Sequence, residues 1–191
     1  MTQKIKQKSS LGAPVFSNSN KLYRVIWMAF YYVFFRYSPV FLFRFRVLLL
    51  KMFGAKIAWT SRVYSSSKIW APYNLQLGEF SCIGPRVDVY NQGFISIGNY
   101  AIVSQGVTLC ASSHDYLEPE HQLILGKISI GNNAWVCAEA FVGFNLTIGD
   151  GAVIGARAVQ VKDAQEWMVY GGNPAKKIKA RDMKETGKSY V

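Results

Sequence analysis

Few side chains of this sequence can do chemistry, and they are scattered. Two histidines, His114 and His121, stand seven residues apart, and three cysteines, Cys82, Cys110 and Cys137, lie far from one another. An imidazole, with an unperturbed pKa of about 6.5, can take a proton from a hydroxyl and return it within one turnover at neutral pH. Two histidines cannot form a three-histidine zinc site and no CxxC spacing occurs, so no metal is expected. Cys110 and Cys137 each follow an aliphatic residue, where a small buried side chain is the simpler expectation. A nucleophilic Cys110 would need an activating neighbour, and its sequence neighbours supply none. His114, in Ser113-His114-Asp115, is the candidate acid–base residue; His121, in the polar run Glu118-Pro119-Glu120-His121-Gln122, reads as solvent-exposed.

What must position His114 is a repeat. The phrase aliphatic, polar, aliphatic, Gly-acid or Gly-Asn occurs at Leu75–Glu79, Ile95–Asn99, Ile128–Asn132 and Leu146–Asp150, at offsets of 20, 33 and 18 residues. Between these phrases aliphatic residues recur every six positions, as in Leu77, Ile83 and Val89 or Ile130, Val136, Val142, Ile148 and Ile154. That period is neither helical nor a simple strand alternation; it predicts a solenoid whose coils have three short sides. Successive coils should pair as parallel strands, each adding about 4.8 Å of height. The long offset carries surplus residues that must leave the coil as a loop, placed at 115–127, and His114 sits at its mouth.

Charge is uneven along the 191 residues. No Asp or Glu precedes Glu79, whereas twelve of the 22 Lys and Arg residues do, so the first part holds essentially all of the net charge of +11. This asymmetry points to an anionic partner. The basic residues of 22–53 are interleaved with aromatic ones, and no recognised nucleic-acid module accompanies them, so nucleic acid is not expected. The longest uncharged run there, Val25–Phe35, is eleven residues, against about 20 needed to span a bilayer as a helix. Two readings of 21–53 stay open and are compatible: short interfacial helices on an anionic membrane, or a cover for the solenoid. The predicted organisation is a basic flexible arm over 1–20 and an aromatic, basic helical segment over 21–56. The solenoid follows over 57–161, then a turn and short basic helix over 162–191.

These repeats, the loop opened by Leu109-Cys110-Ala111-Ser112-Ser113-His114-Asp115, and the ending Val153-Ile154-Gly155-Ala156 through Gly172-Asn173-Pro174-Ala175-Lys176 resemble the hexapeptide-repeat acyltransferases. The likeness covers roughly 55–181. The front end, with Phe35-Arg36-Tyr37-Ser38-Pro39 and Phe53-Gly54-Ala55-Lys56-Ile57, is similar to the exopolysaccharide O-acetyltransferases of the colanic-acid type. The resemblance implies a mainly β fold, a left-handed parallel β-helix with an N-terminal helical segment and a short C-terminal helix. It also implies a homotrimer with sites between subunits, acetyl-CoA as donor, and a saccharide acceptor in surface-polysaccharide assembly. His114 matches the family's catalytic base. The Ala138 N–H matches the oxyanion donor and lies against the thioester; members often carry Ser there, which leaves this chain only the backbone group. Gly155, Ala156, Lys162, Lys176 and Lys179 match coenzyme A contacts, and Asp88, Tyr90 and Asn91 match residues facing the sugar, although these could equally cap a coil corner. The expected location is cytoplasmic, from cysteines that read as small buried residues of a reducing compartment, and peripheral on the inner membrane face where 21–53 meets the bilayer. N-acetylation of an amino sugar and a non-catalytic β-helix scaffold are the alternatives.

Overall fold

The six-residue period folds as a three-sided coil in the computed structural model, which describes residues 16–182. The first face stacks the parallel strands Lys56–Ile57, Leu75–Leu77, Phe94–Ile97, Lys127–Ile130 and Leu146–Ile148. The second stacks Arg62–Val63, Cys82–Ile83, Ile102–Val103, Trp135–Val136 and Val153–Ile154, and the third Lys68–Ile69, Asp88–Tyr90, Thr108–Cys110, Phe141–Val142 and Val159–Gln160. Register puts like over like: Leu77 pairs with Ile97, Ile97 with Ile130, and Ile130 with Ile148. All of these side chains are buried, each contributing about 1.5–3 kcal/mol.

The Gly-Asn phrase marks the edge between first and second faces. A Cβ on Gly131 would stand 2.6 Å from the Asp150 backbone nitrogen, so the next coil admits only glycine. The following side chain then bonds downward: Asp150 Oδ1 accepts from Asn132 N at 2.7 Å, and Asn132 Oδ1 from Asn99 N at 2.9 Å. The motif is thus a ladder that satisfies corner N–H groups the strands leave unpaired.

The front end begins with helix α1, Asn18–Phe30, capped by the Ser17 hydroxyl, and continues through one π-helical turn, Tyr31–Phe35. Residues at fourfold spacing face the coils: Trp27, Tyr31 and Phe35 are buried, the Trp27 indole donates to Ile69 O at 2.8 Å, and the Tyr31 hydroxyl to Ser67 O at 3.2 Å. Helix α2, Phe43–Met52, packs on the first coil. Its Arg46 is fully buried, and its guanidinium donates to Val63 O, Pro39 O, Val40 O and Ser38 Oγ. Burial lowers its pKa from the usual arginine value. This cation therefore ties α2 to the solenoid and is not available to headgroups.

Two boundaries differ from the sequence reading. The arm predicted over 1–20 lies outside the described residues up to position 15, and Asn18 is already helical. The basic helix predicted in the tail is instead strand Lys176–Ala180, antiparallel to Met168–Gly171 at the end of the second face. Met168–Gly171 would otherwise expose an unpaired edge, and the Gly172–Pro174 turn returns the chain alongside it. Arg181 then fixes the end by donating to Asn133 O and Gly151 O, both at 2.8 Å. The tail's final residues, 183–191, lie outside the described set.

Candidate active site

The long offset leaves the coil at the edge between third and first faces, as a two-stranded antiparallel arm rather than an open loop. Ser112–His114 pairs with Leu123–Leu125, and His114 stands opposite Leu123. The neck is closed by the Gly126 N–H to Ala111 O bond at 2.9 Å, so the register of the first face passes beneath it undisturbed, Ile95 to Ile128. The tip is also bonded: Asp115 N donates to Gln122 O, and Asp115 Oδ1 accepts from Leu117 N.

His121 has φ +45°, the left-handed region that a residue with a Cβ occupies at a cost. This conformation accompanies a contact 2.6 Å long between His114 Nδ1 and the His121 carbonyl. A carbonyl only accepts, so Nδ1 carries a hydrogen, and in the neutral ring the lone pair then lies on Nε2. The exposed His114 is therefore held in the tautomer of a base.

A groove of about 470 Å³ opens at this ring, bordered by Tyr90, Gln92, Cys110, Ser113 and Leu123. Tyr90, matched by resemblance to the sugar side, is thus among the residues beside His114. Asp88 lies on the same strand and borders a neighbouring cleft with Tyr90. Asn91 is fully buried, its Oδ1 accepting from Trp70 N and Ala71 N while its Nδ2 donates to Ala71 O; it caps the corner, which was the alternative. Gln92, which sequence reasoning passed over, borders the groove in its place. Cys110 is only half-buried and borders the groove too, with its thiol donating to Ser112 O at 3.2 Å. Burial pushes the thiols of Cys82 and Cys137 up, keeping both protonated.

The residues matched to the donor lie mostly elsewhere. Ala138, Gly155 and Ala156 follow second-face strands, on the edge between second and third faces. The Ala138 N–H has no backbone partner among the described residues, while its carbonyl accepts from Arg157 N. Gly155 is kept small by the coil above it, since a Cβ would stand 3.0 Å from Tyr170 O. Ala156 and Lys162 are exposed, Lys162 on the same edge as the arm. Lys176 and Lys179 lie exposed on the last strand, and neither forms an ion pair among the described residues.

No protein-family model matches the chain. It is 37% identical over 166 residues, 87% of this chain and 91% of the relative, to Escherichia coli K12 WcaF, a protein named for an acetyltransferase role in colanic acid biosynthesis. The chain belongs to the hexapeptide-repeat acetyltransferases. The maltose O-acetyltransferase of Clostridium difficile 630 superposes with a TM-score of 0.77 at 21% identity, covering 87% of this chain and 90% of that one. A Vibrio cholerae hexapeptide-repeat acetyltransferase solved with acetyl coenzyme A also gives 0.77, at 18% identity and coverage of 87% and 91%. Both likenesses concern the fold. In this acetyltransferase the feature no sequence signal could reveal is the His121 carbonyl, because every residue type carries one.

Proposed function

We propose that this acetyltransferase moves the acetyl group of acetyl-CoA to a hydroxyl of a saccharide, with His114 as the base. The observation that carries the reading is the His114 Nδ1 contact with the His121 carbonyl, which leaves Nε2 free beside an open groove. Nε2 takes the hydroxyl proton as the oxygen attacks the thioester carbon. The tetrahedral intermediate places its negative oxygen on a fixed N–H, the role assigned to Ala138. Collapse breaks the carbon–sulfur bond, and the proton on Nε2 passes to the departing thiolate, giving an acetyl ester and free coenzyme A.

A single chain does not complete this site. His114 and Ala138 belong to different edges of the coil, separated by a face of about six residues, roughly 20 Å at about 3.3 Å each. Reacting atoms must come within about 3.5 Å. A second copy presenting its Ala138 edge to the His114 arm removes the difficulty, and three faces close this arrangement as a homotrimer. The pantetheine arm would run past Ala138, Gly155 and Ala156, with Lys162, Lys176 and Lys179 near its phosphates.

The acceptor side supports a lipid-linked polysaccharide intermediate, with the enzyme peripheral on the inner face of the cytoplasmic membrane. The outer surface of the front end carries exposed Leu22, Val25, Val33, Phe34, Tyr37 and Phe41 beside basic residues and no acidic ones. No helix among the described residues is long and apolar enough to cross a membrane. The experiment is mass spectrometry of the cell's surface glycan with and without the gene. Alkali-labile acetyl esters present only with the gene are expected; alkali-stable acetamides would move the reading to N-acetylation, and an unchanged glycan would refute both.

A further inference from the structure

Three depressions follow one another along the same side of the molecule. The His114 groove is bordered by Tyr90, which also borders a cleft of about 250 Å³ with Trp70, Met28 and Asp88. Trp70 and Met28 in turn border a wider depression of about 640 Å³ with Lys21 and Arg24 of α1. Two buried polar atoms on this track have no partner among the described residues: Gln92 Oε1 beside His114, and Arg24 Nε at the far end.

Their chemistry is opposite. The other end of the Gln92 amide is occupied, Nε2 donating to the Tyr90 hydroxyl at 2.9 Å, so the free end asks for a group such as a sugar hydroxyl, which can both donate and accept. The Arg24 guanidinium lies 4.4 Å from the centre of the Trp70 ring and 5.4 Å from that of Phe16. Aromatic faces attract the cation but offer its N–H groups no lone pair in the guanidinium plane. Neither Arg24 nor Lys21 has a carboxylate partner, since the one ion pair among the described residues joins Arg157 and Glu139. A buried donor left unpaired, as Arg24 Nε is, is costly, and an anion that accepts from it removes that cost.

Resting on the reading of His114 as base toward a saccharide, we propose that the acceptor is a glycosyl phosphate and that Arg24 and Lys21 bind its phosphate. The sugar lies between His114, Gln92 and the Trp70–Tyr90 pair, whose ring centres are 6.5 Å apart in an edge-to-face arrangement. Arg24 supplies a charge-assisted fork to the phosphate oxygens, and Lys21, one helical turn earlier, a second cation. A free sugar phosphate and a polyisoprenyl-linked saccharide share this chemistry.

Calorimetric titration of the full-length protein with inorganic pyrophosphate, farnesyl diphosphate and farnesol tests the site without any acetyl transfer, so its failure is separable from failure of the acetyltransferase reading. Wild type should bind at least one of the two diphosphates, and Arg24→Gln and Lys21→Gln should each weaken that binding at least tenfold while farnesol binding and the circular dichroism spectrum stay unchanged. Tighter binding of farnesyl diphosphate than of pyrophosphate identifies a lipid-linked source, and equal binding a soluble one. The proposal is overturned if wild type binds neither diphosphate or if the Arg24→Gln affinity is unchanged. It is also overturned if coenzyme A affinity falls by the same factor, because the cation would then serve the donor.

Discussion

Position 121 allows the main chain to be perturbed separately from the side chain. The His114 ring is oriented by a carbonyl whose residue sits at φ +45° and whose own N–H donates to Glu118 O at 2.9 Å. Glycine adopts this conformation freely and keeps both groups. Proline is fixed near φ −65° and has no N–H, so His121→Pro must swing the carbonyl away and lose the Glu118 bond. As His114 takes up a proton, its bond to the carbonyl becomes charge-assisted, worth about 1.5–3 kcal/mol. Losing it in the transition state should lower turnover roughly 10- to 150-fold. His121→Gly should stay within about twofold of wild type, since it removes an imidazole with no part in the contact and relieves the left-handed strain. Release of coenzyme A, followed with a thiol-reactive dye, measures both variants, with coenzyme A affinity as the control. The reasoning is refuted if His121→Gly falls as far as His121→Pro, which would give the work to the imidazole, or if His121→Pro retains full turnover.

Three further outcomes are expected. Arg46→Met keeps the bulk of the side chain but strips the hydrogen bonds from Val63 O, Pro39 O and Val40 O, and should lower stability by on the order of 3 kcal/mol or more in urea unfolding. Burial and the neighbouring Tyr73 raise the Tyr23 pKa to about 12 from 10.0. The folded state then keeps a proton that the unfolded state releases, so the stability that Tyr23 contributes should be fully present below about pH 10 and be lost between about pH 10 and 12; Tyr23→Phe should remove that part of the fall in unfolding curves measured across the range. On vesicles containing anionic lipid, the full-length protein should float at low salt and be partly released at high salt, leaving a fraction held by the exposed apolar side chains. No flotation at low salt would assign the front end to packing alone.

The coil was legible in the sequence because its signal is local and repeated: an inward aliphatic side chain every six residues can bury itself in only one way. The glycine of each Gly-Asn phrase was visible as a pattern, but its reason is tertiary, the approach of the next coil's backbone at Gly131. The resemblance matched Asn91 to a sugar-facing residue, with a corner cap as the alternative; the cap is what it forms, and Gln92 borders the groove. A single residue matters there because the chain is turning a corner, and Asn91 is drawn inward to bond Trp70 N and Ala71 N. The Lys176–Ala180 segment has the composition of a helix, yet the unpaired edge of Met168–Gly171 recruits it as a strand. Arg46, one of the basic residues of 22–53, is buried for a similar reason: the four acceptors around it are brought together only in the folded protein.

The central claim is that His114 is the base. Its most direct measurement is single-turnover acetyl transfer by His114→Ala, alongside coenzyme A binding to the same preparation. Turnover should fall roughly 10²- to 10⁴-fold, the range expected for loss of a general base, while coenzyme A affinity and assembly state stay those of wild type. Wild-type turnover in His114→Ala would contradict the account, as would an acetyl group trapped on Cys110.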